Sequence, residues 1–572
     1  MSREITRRRF LGATTAVTVG AALAACTPTP TPQAPTKAPA ATTAATQAPA
    51  AATTAATKAP AAATAAPTAA AEKPIVEITL AFGEGSGQPI IENAPAHLAA
   101  GKATRTKLRF QTTGSTDWPA KQKTLLATAQ VPDIMGVGNA GEIRDFAKPS
   151  VLRPIMPLIE KYGPNLKRYL AAYPEFKRWA IDGEHYIIPK VYFNRPRYAP
   201  VPNIRSDWME ALGLPVPADW DQLYQVLKEM KKAHPDAYWT NRQGIKRMLM
   251  LCAYPMGSGL GGWFRGKDCP YFDEAVDGGK WLYGPIHPEF KEVLAYFAKA
   301  YKEGILDPDI ATTTADQWHQ MNSSGKGFFT YDNFTFQGRW LKALRETDPK
   351  ARWMALPTPK GKRGARQNDF FTFEGGWVIG AGSKNPDRVI ELFDWMVTPE
   401  GIDTTNWGVE GEHYVLKCPR AATITDYTRA GLGKAQDPKC RDFKPEVLQK
   451  YQQSGQRKSD HGVGLGDIVV LIDGAVLPYW EPQDSDILKN IEVVGNDPGM
   501  HPELLVPPFT KDEIQKLKEP QAAVDAIMNP ALDKVVLGQM SLTEYDKAVQ
   551  DAIKAGAQDL EKIYNEAEAR MK

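Results

Sequence analysis

This chain has few cysteines, few histidines and only a small net charge. Its 572 residues include 5 Cys and 8 His, and their formal net charge is +3. No CxxC pair and no Cys/His cluster is present, which argues against a zinc site. The small net charge indicates no nucleic-acid surface. We therefore expect no metal, no other cofactor and no nucleic-acid partner.

The sequence motifs of several enzyme classes are also absent. There is no GxSxG nucleophile motif and no HExxH zinc-protease motif. The glycine-rich stretch at residues 83–87 forms no GxGxxG pattern, and no Lys-Ser or Lys-Thr follows at the spacing of a phosphate loop. We interpret this stretch as a loop at the end of a strand.

The first 26 residues have the pattern of an export signal. A basic stretch precedes an apolar run at residues 10–25, which is too short and too rich in Ala, Thr and Gly to span a bilayer. Residues 6–11, TRRRFL, resemble a twin-arginine signal, and residues 23–26, LAAC, resemble a lipobox. These likenesses imply that Cys26 becomes the lipidated first residue of the mature protein. The alternative is an ordinary cleaved signal with an incidental Cys.

Residues 27–74 consist almost entirely of Ala, Thr and Pro. Such a composition cannot bury enough apolar surface to offset the entropy of ordering, so we predict a disordered stalk. Its Ala-Pro and Thr-Pro steps favour extended geometry at about 3.1 Å per residue, which gives a reach on the order of 100 Å. The stalk would hold a folded domain away from a membrane.

The remaining cysteines form two locally spaced pairs, Cys252 with Cys269 and Cys418 with Cys440. Outside the cytoplasm disulfides are permitted, so we expect at least one local bridge, with four free thiols as the alternative. The roughly 500 residues beyond the stalk are enough for more than one domain. Among them, 14 Trp, 20 Tyr and 20 Phe suit either sugar stacking or core packing.

The first part of the folded region alternates strands and helices. Strands are predicted at residues 76–82, 107–112 and 132–137, with a helix at about 118–130 between the last two. This order predicts an α/β fold with a largely parallel sheet. Ligands bind beyond the carboxyl ends of such strands, which places Asp117, Trp118 and Asn139 at one rim.

Two later stretches are predicted as core elements. A helix that begins at Asp219 carries apolar residues at helical spacing, namely Leu223, Val226, Leu227 and Met230. Residues 328–331 are interpreted as a strand buried on both faces, and Trp208 as a core residue.

Many short motifs resemble, in order, those of the extracellular solute-binding proteins, family 1, of ABC importers for carbohydrates, in the long lipoprotein branch. The motifs are PDI at 132–134, LRPI at 152–155, YGPN at 162–165, DGEHYIIP at 182–189, IRSDWMEALGL at 204–214, GPIHPEFK at 284–291, EGILDP at 303–308, NWGVEGEHY at 406–414, and YD at 545–546. Each motif is weak by itself, but together they cover nearly all of residues 75–572.

The resemblance implies a two-lobed, periplasmic-binding-protein-like fold of type II with a ligand cleft between the lobes. Chain crossovers are expected near residues 189–194, 350 and 384. The implied first lobe holds residues 75–190 and 351–383, including a return strand at 352–357. The second lobe would hold residues 191–350 and 384–572.

The resemblance also implies a saccharide site, which combines aromatic platforms with polar partners. The predicted platforms are Trp118, Tyr192, Trp263, Phe264, Trp377 and Trp407. The predicted polar partners are Asp117, Asn139, Asn194, Asp332, Arg339 and Glu374. For each aromatic residue the alternative is core or interlobe packing.

Relatives in this branch often carry an Asp/Asn/Gly-rich calcium loop. The corresponding residues 234–243, HPDAYWTNRQ, contain one carboxylate, no Gly and an Arg. Calcium needs 6 to 8 oxygen ligands, so we predict that this site is missing here.

The implied function is a monomeric oligosaccharide receptor on the outer face of the cell membrane, anchored through Cys26, which delivers its ligand to an ABC permease. A receptor for a peptide or another non-sugar solute is the alternative, because the fold is shared across ligand classes. An exported glycoside hydrolase with Glu374 and Asp332 as acid and base is the rival enzyme hypothesis. Carboxylates are abundant in any chain of this size, so we expect no enzyme activity.

Overall fold

The computed structural model describes residues 73–84, 89–114, 117–193, 200–261, 270–369, 373–420, 440–450, 456–464, 467–473, 485–502 and 504–571. The chain divides into two units, Met1–Ala71 and Glu72–Lys572, and the described residues all belong to the second unit. The predicted signal, Cys26 and nearly all of the predicted stalk lie outside the described residues.

Strands and helices are numbered here in chain order. The strands are β1 Val76–Glu84, β2 Thr106–Gly114, β3 Ile134–Val137, β4 Ile187–Phe193, β5 Pro200–Arg205, β6 Tyr238–Trp239, β7 Tyr271–Asp273, β8 Lys280–Leu282, β9 Gly327–Asn333, β10 Trp353–Ala355, β11 Lys360–Gly361, β12 Gly364–Ala365, β13 Gln367–Asp369, β14 Phe373–Ile379, β15 Tyr414–Leu416, β16 Arg441–Phe443, β17 Leu471–Asp473 and β18 Met500–Pro502. The helices of the first part are α1 Pro95–Thr104, α2 Trp118–Ala127, α3 Ala140–Ile143, α4 Met156–Tyr162, α5 Pro164–Ala171, α6 Ser206–Ala211, α7 Trp220–Ala233, α8 Gly244–Met256, α9 Pro288–Lys302 and α10 Ala315–Ser323. They are followed by α11 Gln337–Thr347, α12 Pro386–Met396, α13 Pro399–Trp407, α14 Pro445–Lys450, α15 Gln456–His461, α16 Ser485–Gly495, α17 Lys511–Val536, α18 Leu542–Lys554 and α19 Ala557–Ala569. Short 3-10 helices occur at Arg144–Phe146, Pro174–Trp179, Gly284–Ile286 and Phe334–Phe336.

A six-stranded sheet organises the first lobe, with strand order β17-β4-β14-β3-β1-β2. The pairs β1 with β2, β1 with β3, and β17 with β4 are parallel. Strand β14 is antiparallel to both of its neighbours, β3 and β4. Every strand of this sheet except β14 therefore runs in the same direction, in agreement with the largely parallel sheet that the sequence predicts.

The PDI motif fixes the start of β3 against two other strands. The Asp133 carboxylate accepts hydrogen bonds from Thr79 N at 2.9 Å and Thr79 Oγ1 at 2.8 Å, and also from Ser383 Oγ at 2.6 Å. Beside it, Ile78, Leu80 and Ile134 are fully buried. The motif is therefore structural: its carboxylate ties β1, β3 and the end of β14 together above the first core.

A second sheet of four strands, in the order β10-β5-β9-β6, organises the second lobe. Strand β9 pairs antiparallel with β5 and parallel with β6. Residues Phe328, Phe329, Thr330 and Tyr331 of β9 are all buried, which confirms the predicted two-sided strand.

Buried side-chain amides behind this sheet link it to two helices by hydrogen bonds. Asn203 Oδ1 of β5 accepts from Gln337 Nε2 of α11 at 2.6 Å, and Gln337 Oε1 accepts from Asn490 Nδ2 of α16 at 2.6 Å. Asn490 Oδ1 in turn accepts from Ala355 N of β10 at 2.8 Å. Because their partners lie inside the lobe, these amides are structural.

Helix α7 forms as its sequence predicts. Asp219 is the N-cap, and its side chain accepts a hydrogen bond from Gln222 N. The predicted apolar positions Leu223, Val226, Leu227 and Met230 are all buried in the second core. Trp208 is only partly buried at the edge of that core, where its ring stacks on His234 with centroids 3.6 Å apart.

The structure differs from the predicted lobe boundaries in three places. Residues 471–473 were expected in the second lobe, but β17 pairs parallel with β4 of the first sheet. Residues 352–357 were expected in the first lobe, but β10 pairs antiparallel with β5 of the second sheet. Residues 384–407 were expected in the second lobe, but α12 packs on the first core, where Val389, Ile390 and Phe393 are fully buried. Strand pairing and helix docking join residues distant in the chain, so local sequence pattern did not assign them.

The last three helices, α17 to α19, pack on the second core. Capping boxes begin two of them: Thr510 with Glu513 at α17, and Ser541 with Glu544 at α18. A buried ion pair links this region to the first lobe, since the Arg178 guanidinium donates to both Glu568 carboxylate oxygens at 2.7 Å.

One disulfide joins Cys418 to Cys440, with Cα atoms 5.2 Å apart. This confirms the expectation of at least one local bridge. Cys252 is a buried free thiol on α8, and Cys269 lies outside the described residues. Within the described ranges, no helix combines the length and the apolar character needed to cross a bilayer.

Candidate functional site

The chain crosses between the two sheets at one common edge. Strand β4 ends at Phe193 on the first sheet, and β5 begins at Pro200 on the second. In the second sheet Pro200 pairs with Asn333, at the carboxyl end of β9. The carboxyl edges of both sheets therefore adjoin this crossover, which is where ligands bind in open α/β sheets. We take the space between these edges as the candidate cleft.

The first-lobe rim carries three of the predicted residues. Because β1, β2 and β3 are parallel, Asp117 and Trp118, which follow β2, lie at the same edge as Asn139, which follows β3. Asp117 is exposed, whereas Trp118 and Asn139 are partly exposed. The structure thus brings these three side chains to one rim, as expected.

Close packing sets the position of Trp118. A Cβ atom added at Gly83 would lie 2.9 Å from the Trp118 Cβ, so only glycine at the end of β1 allows this approach. The Trp118 ring consequently covers the carboxyl end of β1.

The loop that presents Asn139 is held by Glu142. The Glu142 carboxylate accepts from Gly138 N at 2.8 Å and from Gln122 Nε2 at 3.1 Å. Asn139 is the N-cap residue of α3, yet its side chain makes no capping hydrogen bond. Its amide therefore stays at the rim with no role in starting the helix.

Two of the predicted platforms are core residues. Trp377 is 1% exposed, its ring lies 5.4 Å from that of Phe82, and its Nε1 donates to Val469 O at 2.8 Å. Trp407 is also 1% exposed, and its Nε1 donates to Asp473 Oδ2 at 2.9 Å. Both rings support the first sheet from inside. Tyr192, on β4, is partly exposed at the rim.

Asp332 lies inside the second lobe as a paired anion. Arg242 donates to both of its oxygens at 2.9 and 3.1 Å, and Arg247 donates to Oδ2 at 2.9 Å. Burial alone would raise the pKa of Asp332, but Arg247 and Arg242 outweigh it and hold this pKa below its usual value. Both oxygens of this carboxylate already accept hydrogen bonds from arginines, which does not suit the base of the hydrolase hypothesis, since a base must accept a proton from water.

A surface missed by the sequence analysis lies beside Asp332, at the carboxyl end of β9. It consists of Phe336, Arg242, Arg339 and His319, and we call it the Phe336 surface. The Arg242 guanidinium lies 4.8 Å from the Phe336 ring centroid and that of Arg339 lies 5.8 Å from it. The His319 ring is edge-on to Phe336 at 5.2 Å. Phe336, Arg242 and His319 are partly exposed and Arg339 is exposed.

His319 is held neutral on this surface. Its Nδ1 accepts from Trp340 Nε1 at 3.0 Å, so the ring presents an N–H from its other nitrogen. Burial lowers the pKa of His319, and the nearby Arg339 and Arg242 lower it further. The surface therefore offers an aromatic face, guanidinium donors and an imidazole donor.

The sequence pointed to some residues of the Phe336 surface but not to the surface as a whole. Arg339 was among the predicted polar partners, and Arg242 is the Arg that disrupts the calcium-loop pattern. Phe336 lies three residues after β9, a strand in which every residue but the last is buried, and functional loops often begin at such strand ends. The contacts that join them depend on the pairing of β6 with β9.

The structure does not describe the side chains of four other predicted residues. Asn194, Trp263 and Phe264 lie outside the described residues, and so does the side chain of Glu374, whose backbone belongs to β14. In the described part of the chain, no cluster of His, Cys, Asp and Glu is arranged to hold a metal ion.

A cavity of about 460 Å³ lies elsewhere, between α1 and α12. Its lining residues include Lys73 and Arg105, which precede β1 and β2, and Arg388 of α12. This is the sheet edge opposite the rim, so the cavity is not part of the candidate cleft.

Two α/β sheets that meet through chain crossovers, with polar and aromatic side chains at the facing edges, define a two-lobed solute receptor. The comparisons with known proteins agree. The sequence profile of the bacterial extracellular solute-binding proteins matches residues 84–403, and the chain belongs to this family.

Two curated relatives show how far the similarity extends. Lipoprotein LipO of Bacillus subtilis is 25% identical over 342 residues, which cover 57% of this chain and 65% of the relative. The fructooligosaccharide ABC transporter substrate-binding protein FusA of Streptococcus pneumoniae is 22% identical over 325 residues, 52% of this chain and 56% of the relative. The chain thus spans somewhat less than two thirds of the length of these relatives.

Among solved structures, the alginate-binding protein AlgQ2, without calcium ion, matches with a TM-score of 0.66 at 21% identity. The match covers 87% of this chain and 98% of that protein. At this level of identity the comparison shows the periplasmic-binding-protein-like fold.

Proposed function

We propose that this protein is the lipid-anchored receptor of an ABC importer, which captures an oligosaccharide between its lobes and delivers it to the permease. The observation that carries the proposal is the meeting of two carboxyl sheet edges at a crossover, each with partly exposed aromatic and polar side chains. Saccharides present apolar ring faces and many hydroxyl groups, which this combination fits.

The relatives support the choice of a saccharide. FusA is named as a fructooligosaccharide transporter substrate-binding protein, and AlgQ2 is named as an alginate-binding protein. One of these is a neutral sugar chain and the other an acidic one. They favour a carbohydrate over a peptide, but they do not choose between the two kinds of sugar.

The contact residues that we propose differ in part from those predicted from the sequence. On the first lobe, Asp117, Trp118, Asn139 and Tyr192 keep a proposed direct role. On the second lobe we propose Phe336 and Arg339. Asn194, Trp263, Phe264 and Glu374 remain predictions from sequence. Asp332, Trp377 and Trp407 act indirectly, because they are buried and hold the rims in place.

The proposed mechanism is closure driven by the ligand. A ligand favours the closed state only through contacts that are stronger there, so groups on both rims must bind it at once. The closed pair of lobes is then the form that the permease recognises.

Membrane attachment rests on the export signal and the lipobox. Mass spectrometry of the protein extracted from membranes should find a lipid on Cys26. The Cys26→Ser variant should appear in the soluble extracytoplasmic fraction, and membrane retention of that variant would contradict the anchor while leaving the receptor proposal intact.

Thermal unfolding of the purified protein against neutral saccharides, acidic saccharides, peptides and polyols tests the receptor proposal. A ligand that binds only the native state stabilises it by RT ln(1 + [L]/Kd), about 2.7 kcal/mol at 100-fold excess over Kd. A rise in Tm with one saccharide class, and no product after incubation, is the expected result. A rise with peptides alone would replace the saccharide by a non-sugar solute.

A further inference from the structure

The two rims of the candidate cleft differ in charge. The first-lobe rim presents the carboxylate of Asp117 and the amide of Asn139, whereas the Phe336 surface presents guanidinium groups. Arg339 is exposed, and within the described part of the chain it forms no ion pair. An exposed cation at a cleft that has no carboxylate partner among the described residues is available to a ligand.

Positively charged side chains lie around Phe336. Arg242 and Arg247 both pair with the carboxylate of Asp332. Arg339 adds a further guanidinium group, and Asp316 on α10 is a carboxylate that acts on His319 of this surface. Asp316 is exposed to water, which screens its charge. The lowered pKa of His319 agrees with a positive potential at this position.

The geometry also combines two binding modes that one sugar residue uses. The Phe336 ring is partly exposed and has the guanidinium groups of Arg242 and Arg339 over it, so a pyranose that packs against the exposed part of the ring meets a guanidinium beside it. Guanidinium groups match carboxylates with two parallel hydrogen bonds, and such bonds are stronger than those to neutral hydroxyls.

We propose that the Phe336 surface is the subsite for a carboxylate-bearing sugar residue, so that the ligand is an acidic oligosaccharide of the uronic-acid type. Arg339 pairs with the carboxylate, and the exposed part of Phe336 packs against the sugar ring. The first-lobe rim receives a neutral part of the ligand, because Asp117 would repel a carboxylate. This inference rests on the proposed function and makes it more specific.

Matched ligands test the proposal with the full-length protein. Oligogalacturonate, oligomannuronate and oligoguluronate are each compared with their carboxyl-reduced neutral counterparts by isothermal titration calorimetry. At least one acidic oligomer should bind, and its reduced counterpart should bind roughly 10-fold to 100-fold more weakly, as expected for the loss of a charged hydrogen-bonded pair. Added salt should weaken only the acidic ligand.

Variants locate the effect. Arg339→Gln should weaken the acidic oligomer by a similar factor and leave the reduced one nearly unchanged. Lys350→Gln is the matched control, because it removes the same charge from an exposed residue beyond the far end of α11, about 15 Å away along the helix axis. Both positions are exposed, so the Tm without ligand should stay constant.

The outcomes separate the two proposals. Equal binding of an acidic oligomer and its reduced counterpart, or binding of neutral saccharides alone, would overturn the acidic subsite and leave the saccharide receptor standing. Equal losses in Arg339→Gln and Lys350→Gln would also overturn the subsite. Binding of peptides and no saccharide would overturn the proposed function together with this inference.

Discussion

Two tryptophans of the first lobe and one phenylalanine of the second lobe are placed in opposite ways. In the first lobe Trp377 and Trp407 are buried, and their indole N–H groups are bonded inside the lobe. In the second lobe Phe336 remains partly exposed between two guanidinium groups at the candidate cleft. The sequence analysis favoured the two tryptophans as platforms and did not select the phenylalanine.

The difference follows from where each residue stands relative to its strand. Trp377 lies within β14, between β3 and β4, so its ring enters the core. Phe336 comes three residues after β9 ends, in a short 3-10 helix, where it contacts Trp318 and Trp340 and stays partly exposed. An aromatic residue in the middle of a central strand is therefore a weaker site candidate than one just beyond a carboxyl end.

The largest effect that tests this comparison is expected from Trp377→Ala. Loss of a fully buried indole should lower the free energy of unfolding by about 4 kcal/mol, because a cavity remains in the first core. Urea unfolding monitored by circular dichroism measures this loss, and Trp377→Phe should recover much of it. A variant of normal stability that fails to bind ligand would show that Trp377 is a platform after all.

Asp332→Asn should have the next largest effect, about 3 kcal/mol of destabilisation. The substitution removes the charge that the Asp332 carboxylate supplies to the guanidinium groups of Arg242 and Arg247 in a largely buried place. The same urea experiment measures it, and the double variant Asp332→Asn, Arg247→Met should be less destabilised than the sum of its parts. Strict additivity would argue against the three-residue ion group.

Phe336→Ala should lower stability by only about 1 kcal/mol, since the ring is partly exposed. The main result should be weaker ligand binding, measured by titration calorimetry. Phe336→Leu keeps apolar volume but loses the flat ring face, and it should bind nearly as weakly as the Ala variant. If the Leu variant binds normally, stacking is not the function of this ring.

The smallest effect is a contrast in pH dependence between two histidines. In the first lobe, His97 Nε2 lies 2.7 Å from Asp467 Oδ1 and Nδ1 lies 2.9 Å from Ile91 O, so both nitrogens face acceptors. Burial opposes the charged form, but Asp467 outweighs it and raises the pKa of His97. This stabilising contribution is complete below pH 6.5 and is lost as the pH rises through the raised value.

His319 in the second lobe has the opposite sign. Burial, Arg339 and Arg242 lower its pKa, so its contribution is present above pH 6.5 and is lost as the pH falls through the lowered value. Titration of the histidine ring signals by NMR should show the two shifts in opposite directions. Arg339→Gln should move only the His319 titration toward 6.5, and a shift of His97 in that variant would contradict the separation of the two sites.

Local sequence pattern predicted those parts of the fold that depend on neighbours along the chain. The apolar spacing from Leu223 to Met230 gave α7, and the apolar run at Phe328 and Phe329 gave β9. The ends of β2 and β3 placed Asp117 and Asn139 at one rim, because parallel strands share a carboxyl edge. The lobe of β10 and α12 was not predictable in this way, since partners far along the chain decide it.

By itself, the sequence determined the export signal pattern, the stalk composition, the alternation of strands and helices, and the family, since all of these are properties of short consecutive stretches. Only the tertiary structure decided which aromatic residues are exposed and which charges are already paired. Exposure and pairing are set by what packs against a side chain from elsewhere in the fold. The sequence offered Asp332 and Arg339 as equally good contact residues. Burial beside two arginines makes Asp332 a structural anion, whereas exposure makes Arg339 accessible to a ligand.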